Sequence, residues 1–178
     1  YLWLTVGLSA VVYAATCTSG RADATFSTGT VAFGGKPLKS LILENEFHRL
    51  TIVPDRGGRV VEWIDKRQGN TNVVNLPTDS AEPHYGGLLD DHGWAASAAG
   101  FGNYYNFNYV YDLKATGPAE IVLELWPFEQ KHYRRTITLS AGSPVIRIAY
   151  TLANSTQEDG GNTLVRNVIW PSGRPEPA

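Results

Sequence analysis

The sequence predicts an all-β protein, an antiparallel β-sandwich, and three observations carry that expectation. Apolar residues recur at every second position in run after run from Thr25 onward, the period of a sheet packed on one face. Turn residues separate these runs at short spacing: Asp55-Arg56-Gly57-Gly58, Gln68-Gly69-Asn70, Gly117-Pro118 and Ser140-Ala141-Gly142-Ser143-Pro144. The composition agrees, with 11% aromatic residues, 18 glycines and 10 prolines among 178 residues. No segment keeps a helical period, so any helix beyond residue 25 is expected to be short.

Taken in order, the chain opens with residues 2–16, which hold no charge. The run is short for a membrane span of about 20 residues and suits the apolar core of a secretory signal. Ala22-Asp23-Ala24 follows it as a small-x-small cleavage site. The expected division is therefore a signal over residues 1–24 and a sandwich over residues 25–178, in a secreted or periplasmic protein. In a second reading Cys17 is a lipidation cysteine and the only route to a membrane, although Ala14-Ala15-Thr16 is a poor lipobox. A third makes the segment a buried helix or strand.

The strand runs follow. Leu50 and Ile52 alternate with Arg49 and Thr51, and Ile121, Leu123 and Leu125 alternate with Glu120, Val122 and Glu124. Tyr133, Arg135, Ile137 and Leu139 oppose Arg134, Thr136 and Thr138, while Ile146, Ile148, Tyr150 and Leu152 oppose Arg147, Ala149 and Thr151. Tyr105, Phe107, Tyr109 and Tyr111 share one phase and are expected in the packed face, with Asn106 and Asn108 on the other. Between Pro77 and Gly102 the pattern fails: Pro83, Gly86, Gly87, Gly93 and Gly100 break it, and the stretch reads as a long irregular segment, functional or disordered.

Several function classes are disfavoured by composition. Fifteen basic against seventeen acidic residues give a net charge of −2, which argues against binding nucleic acid by neutralising phosphates. One cysteine excludes an internal disulfide and a structural zinc site built on several thiolates. There is no glycine-rich phosphate cradle, no Gly-x-Ser-x-Gly elbow and no His-Glu-x-x-His pair. No cofactor is expected. Asp90-Asp91-His92 with His84 has ligand chemistry for a small cation, but one short cluster without fixed spacing reads as a solvated acidic loop, and no metal is expected.

The run Leu43-Glu44-Asn45-Glu46-Phe47-His48-Arg49-Leu50-Thr51-Ile52-Val53-Pro54, continuing Asp55-Arg56-Gly57-Gly58-Arg59-Val60, resembles the opening of galactose-mutarotase-like domains. Trp63-Ile64-Asp65-Lys66-Arg67 is similar to the Asp-Lys hairpin that follows in that family. Arg135-Thr136-Ile137-Thr138-Leu139, Gly142-Ser143-Pro144 and Ile148-Ala149-Tyr150 to Asn154 resemble a later hairpin. The resemblance implies a large sandwich whose concave sheet faces carbohydrate. It also implies anomer-exchange enzymes of the aldose 1-epimerase kind, with an acid His and a base Glu. That Glu falls late in a domain longer than this chain, so the chain is expected to hold an N-terminal part without the last strands. The family's tandem Asn-Arg after the first glycine turn is absent.

Candidate site residues follow from this chemistry. Anomer exchange needs an acid and a base across the sugar ring, and His84 and His92 are the catalytic candidates for the acid. Arg59, behind two glycines that permit positive φ, offers a forked donor to paired hydroxyls or a carboxylate. Arg166, beside Asn167, offers another. Trp94, Tyr104, Tyr105, Trp63 and Trp126 are stacking candidates, since a flat ring suits the C–H face of a sugar; Trp94 stands out, among Gly93, Ala95 and Ala96. Asn106 is a further polar contact. The expected function is carbohydrate binding in an exported sugar-processing protein with a saccharide as partner. The alternatives are a non-catalytic module of a larger glycan-degrading enzyme and an exported structural or partner-binding sandwich.

Overall fold

Two antiparallel sheets account for the computed structural model, which describes residues 23–74, 88–95, 101–102, 107–128, 133–152 and 162–168. The larger sheet contains β1 (Thr25–Phe33), β2 (Lys36–Glu44), β3 (His48–Val53), β4 (Arg59–Asp65), β5 (Thr71–Asn72), β6 (Leu88–Ala95), β7 (Phe101–Gly102) and β12 (Asn162–Val168). Its order is β1-β2-β3-β4-β6-β12, with β5 on β4 and β7 on β6. The smaller sheet contains β8 (Tyr109–Gly117), β9 (Glu120–Pro127), β10 (Tyr133–Ser140) and β11 (Ile146–Leu152), in the order β11-β10-β9-β8. Among the described residues the only helical turns are two 3-10 segments, Pro54–Arg56 and Lys66–Gln68. The protein is an all-β sandwich, as the alternation predicts.

The alternating runs fill the space between the sheets. Leu41, Leu43, Leu50, Ile52 and Val60 from the larger sheet meet Ile121, Leu123, Leu125, Tyr133, Ile137 and Leu139 from the smaller, all 2% exposed or less. Burying each aliphatic side chain of this kind contributes about 1.5–3 kcal/mol. Tyr109 is buried among them, and Phe107 and Tyr111 pack against the same core, so the aromatic phase does face inward. Tyr105 lies outside the described residues.

The larger sheet also has a second buried face. Successive residues of a strand point to opposite sides, and Val53, next to core residue Ile52, joins Phe33 and Val61 in a separate cluster with Val31 and Leu38 beside it. This explains why all four residues from Leu50 to Val53 are buried, Thr51 included, although Leu50 and Ile52 alternate with Arg49 and Thr51 in the sequence. The register of β3 on β4 shifts between Thr51 and Ile52, which face Glu62 and Val60. Val61 is the extra residue of that bulge.

Three features depart from the expectation. Residues 25–44 form a complete hairpin closed by Gly34 and Gly35, at φ 58 and 72. A two-residue hairpin turn of this hand needs positive φ at both central positions, which glycine accepts. The stretch read as irregular contains β6, eight residues long, and the short β7. Leu-Leu-Asp-Asp-His-Gly-Trp-Ala shows no alternation, and its extended form comes with pairing to β12 over seven positions. Finally, Ala24 belongs to the folded unit. It is 4% exposed in the main core and its N–H donates to the Pro118 carbonyl at 2.8 Å.

Candidate functional site

Three neighbouring strands of the larger sheet carry four of the sequence candidates. β4 begins with Arg59, β6 contains His92 and Trp94, and β12 contains Arg166. The backbone register fixes their spacing. Arg166 pairs with Asp91, His92 with Val165, and Trp94 with both Thr163 and Phe101. β4 meets β6 through Val60 and Leu88. At 3.3 Å per residue, His92 and Trp94 are therefore about 13 Å and about 20 Å along β6 from that crossing. A single sugar ring cannot reach both ends of this span; the β6–β12 pairing, beyond the start of β4, holds His92 and Trp94 in one alternation phase and Arg166, in register with Asp91, in the other. His84, Tyr104 and Asn106 lie outside the described residues, and β6, β7 and β12 are described by backbone path and register.

Arg59 is not the exposed forked donor that the sequence suggests. The two glycines before it do take positive φ, 73 at Gly57 and 60 at Gly58. They turn the chain into β4 with Arg59 opposite Val53, on the face of the Phe33 cluster. Arg59 is 1% exposed there, and its guanidinium lies 5.8 Å from the Phe33 ring centre. Stacking on an aromatic face suits a planar cation, and burial at this level withdraws it from direct contact with a ligand.

Two of the stacking candidates are also occupied. Trp63 packs against the main core, its indole N–H donating to His48 Nδ1 at 3.1 Å. The Trp126 ring carries the Arg134 guanidinium 4.9 Å above its centre. Arg134 in turn pairs with Glu124 at 2.6 Å, on the outer face of the smaller sheet. Among the described residues no group of three His, Cys, Asp or Glu side chains is placed to hold a metal ion. A cavity of about 220 Å³ is lined by Asp23, Pro118, Ala119 and Ala141, none of them a sequence candidate.

Polar residues missed as candidates are at work between the sheets. Asn45 Oδ1 accepts from the N–H groups of Phe47 and His48 at 2.9 and 2.8 Å, and its amide donates to the carbonyls of Ser140 and Ser143 at 2.8 and 3.0 Å. His48 is 1% exposed. With Nδ1 accepting from Trp63, its Nε2–H donates to the Pro144 carbonyl at 2.8 Å, which assigns the proton to Nε2. Glu46 accepts from Gly142 N–H at 2.5 Å. On the smaller sheet Arg135, 0% exposed, donates to the Gly58 carbonyl at 2.5 Å and more distantly to Gly57 at 3.5 Å. The rings of Tyr109 and Tyr150 lie 5.6 and 5.9 Å from its guanidinium. The signal for both was phase: His48 is in step with Leu50 and Ile52, and Arg135 with Tyr133 and Ile137.

No family model matches this chain, and no curated protein matches it. Among solved structures, a TPR-domain containing protein from Parabacteroides distasonis ATCC 8503 is similar over 65% of this chain, at 19% identity and a TM-score of 0.48. This chain spans 21% of the length of that one.

The Asp65-Lys66-Arg67 hairpin supplies the clearest electrostatic feature. Asp65 receives the Arg67 backbone N–H at 3.0 Å and the Arg67 guanidinium at 2.9 and 2.8 Å. Chiefly the guanidinium hydrogen bonds, against the opposing effect of burial, hold its carboxyl down to about 2 from the ordinary 3.8. A depressed acid contributes stability that is complete above its ordinary value and is lost as pH falls through the folded value. The stability advantage of the native chain over Asp65→Asn should therefore be constant above pH about 5 and shrink as pH falls from 3.8 to about 2. Urea denaturation of both proteins across that range checks this; an advantage that does not change with pH would contradict it.

Proposed function

We propose that the chain is a carbohydrate-binding β-sandwich domain of an exported sugar-processing protein, similar to galactose-mutarotase-like domains. The observation that supports this most is the pairing of β6 with β12, where His92 and Trp94 share one alternation phase, opposite Val165 and Thr163, while Arg166, opposite Asp91, falls in the other. A saccharide needs a flat apolar platform, a forked donor for adjacent hydroxyls and a few neutral polar groups. Trp94 and His92 supply the platform and a polar group in one phase of β6, and Arg166, in the other phase, offers its forked donor to the opposite face. Arg59, buried beside Phe33, has no direct part in this reading. His84, Tyr104 and Asn106 complete the set by sequence. In this reading His92 and His84 are the acid candidates, and chemistry at the anomeric centre would further require a base across the ring.

Binding of a monosaccharide is expected to be weak, in the millimolar range or about 4 kcal/mol. Calorimetry after a glycan array should show Trp94→Ala weakening binding about tenfold, consistent with about 1.4 kcal/mol per decade. Arg166→Ala, in the opposite phase from Trp94, should leave that binding unchanged. Absence of saccharide binding, or a Trp94→Ala variant that binds as well as the native chain, would remove the function and leave a sandwich fold.

Export is part of the proposal and rests on the uncharged residues 2–16. The burial of Ala24 favours processing upstream of it, a condition that a lipidated Cys17 meets. Mass spectrometry of the mature protein should then find an N-terminus between Cys17 and Ala24; a chain starting at Thr25, or an intact Tyr1, would contradict it.

A further inference from the structure

Among the described residues the larger sheet ends at β1, and this strand lacks the usual protection of an edge. It runs nine residues in unbroken register against β2. Thr-Phe-Ser-Thr-Gly-Thr-Val-Ala-Phe contains no charge and no proline, and Thr25, Ser27, Thr28, Thr30 and Ala32 are exposed. The outer strands of the smaller sheet differ. β8 has a register break between Leu113 and Ala115 with the exposed Lys114–Asp112 ion pair beside it, and β11 carries exposed Arg147. Bulges and charges are the devices that stop a free row of N–H and C=O groups from accepting a further strand. β1 has neither.

The sequence of β1 also says what fits against it. Read outward from Gly29, its positions pair like with like once and then large with small: Thr28 and Thr30, Ser27 and Val31, Phe26 and Ala32, Thr25 and Phe33. We propose that β1 pairs antiparallel with β1 of a second copy of this chain, about a two-fold axis at Gly29, which joins two larger sheets into one. In that register each Thr28 lies opposite the Thr30 of the other copy, a favourable cross-strand pair. Every bulky residue then faces a smaller one: Phe26 faces alanine, Val31 serine and Phe33 threonine. No charges are opposed. A two-fold, self-complementary interface is also the commonest way for a chain to associate with itself, and strand addition supplies its hydrogen bonds.

The test is sedimentation of the full chain at rising concentration, for the native protein and two double variants at exposed positions. The native chain should pass from monomer to dimer between about 1 μM and about 1 mM, the range expected of a small, polar interface. Thr28→Lys with Thr30→Lys opposes like charges on both sides of the axis and should raise the dissociation constant at least about tenfold. Thr28→Lys with Thr30→Glu puts opposite charges at the same two places and should restore the dimer. Circular dichroism and denaturation midpoints should be unchanged in both variants. A native chain that stays monomeric overturns the proposal, as does a Lys/Lys variant that associates like the native chain. Failure of the Lys/Glu variant to recover the dimer overturns the two-fold register at Gly29.

Discussion

A buried guanidinium reaching from one sheet to the backbone of the other is the contact on which the position of the candidate site depends. Arg135 leaves the packed face of β10, lies near the rings of Tyr109 and Tyr150, and donates to the carbonyls of the Gly57-Gly58 turn. That turn can accept it only because both residues are glycine. A Cβ at Gly58 would sit 3.0 Å from Tyr109 Cδ1 and 3.4 Å from Arg135 Nη1, at a φ of 60 that side chains rarely adopt. The Gly57 N–H is held as well, by the Phe107 carbonyl at 3.0 Å. A single point thus joins β8, β10 and the entry to β4. From that entry the register runs through Val60 to Leu88 and along β6 to His92 and Trp94.

A second tie secures the opposite end of β4. The turn from Asn45 to His48 binds the Ser140–Pro144 connection of the smaller sheet through three side chains. Trp63 and Lys66 bind back to it, the lysine donating to the Asn45 carbonyl and pairing with Glu44, both at 2.6 Å. Apolar burial supplies the bulk of the driving force and has no direction. Hydrogen bonds have one, and leaving a buried one such as Arg135 to Gly58 unmade costs about 1–3 kcal/mol. They fix how the two sheets are set against each other.

The fold was legible where one face is core and the other solvent. β9 and β10 alternate without a fault, and their burial alternates with them. Legibility failed where a strand is covered on both faces or owes its form to a distant partner. β3 is buried from Leu50 to Val53, and β6 pairs with residues some seventy positions later in the chain. The site was legible only in part. Residue type pointed to Trp94, His92 and Arg166, but their being brought to adjoining strands follows from that distant pairing. Arg59 misled because a charge behind a glycine turn usually faces water, and the buried Phe33 cluster is assembled from three strands that no local pattern connects.

Replacing the buried guanidinium tests the central contact most directly. Arg135→Met fills similar space with an apolar chain and removes the donors to Gly57 and Gly58. Guanidinium chloride denaturation should show a loss of at least about 2 kcal/mol, from two carbonyls left without their partner. Amide exchange should quicken first at Gly57, Arg59 and Val60. A variant as stable as the native chain, with exchange at these residues unchanged, would show that burial alone sets the sheets together and that the Arg135 contact is incidental.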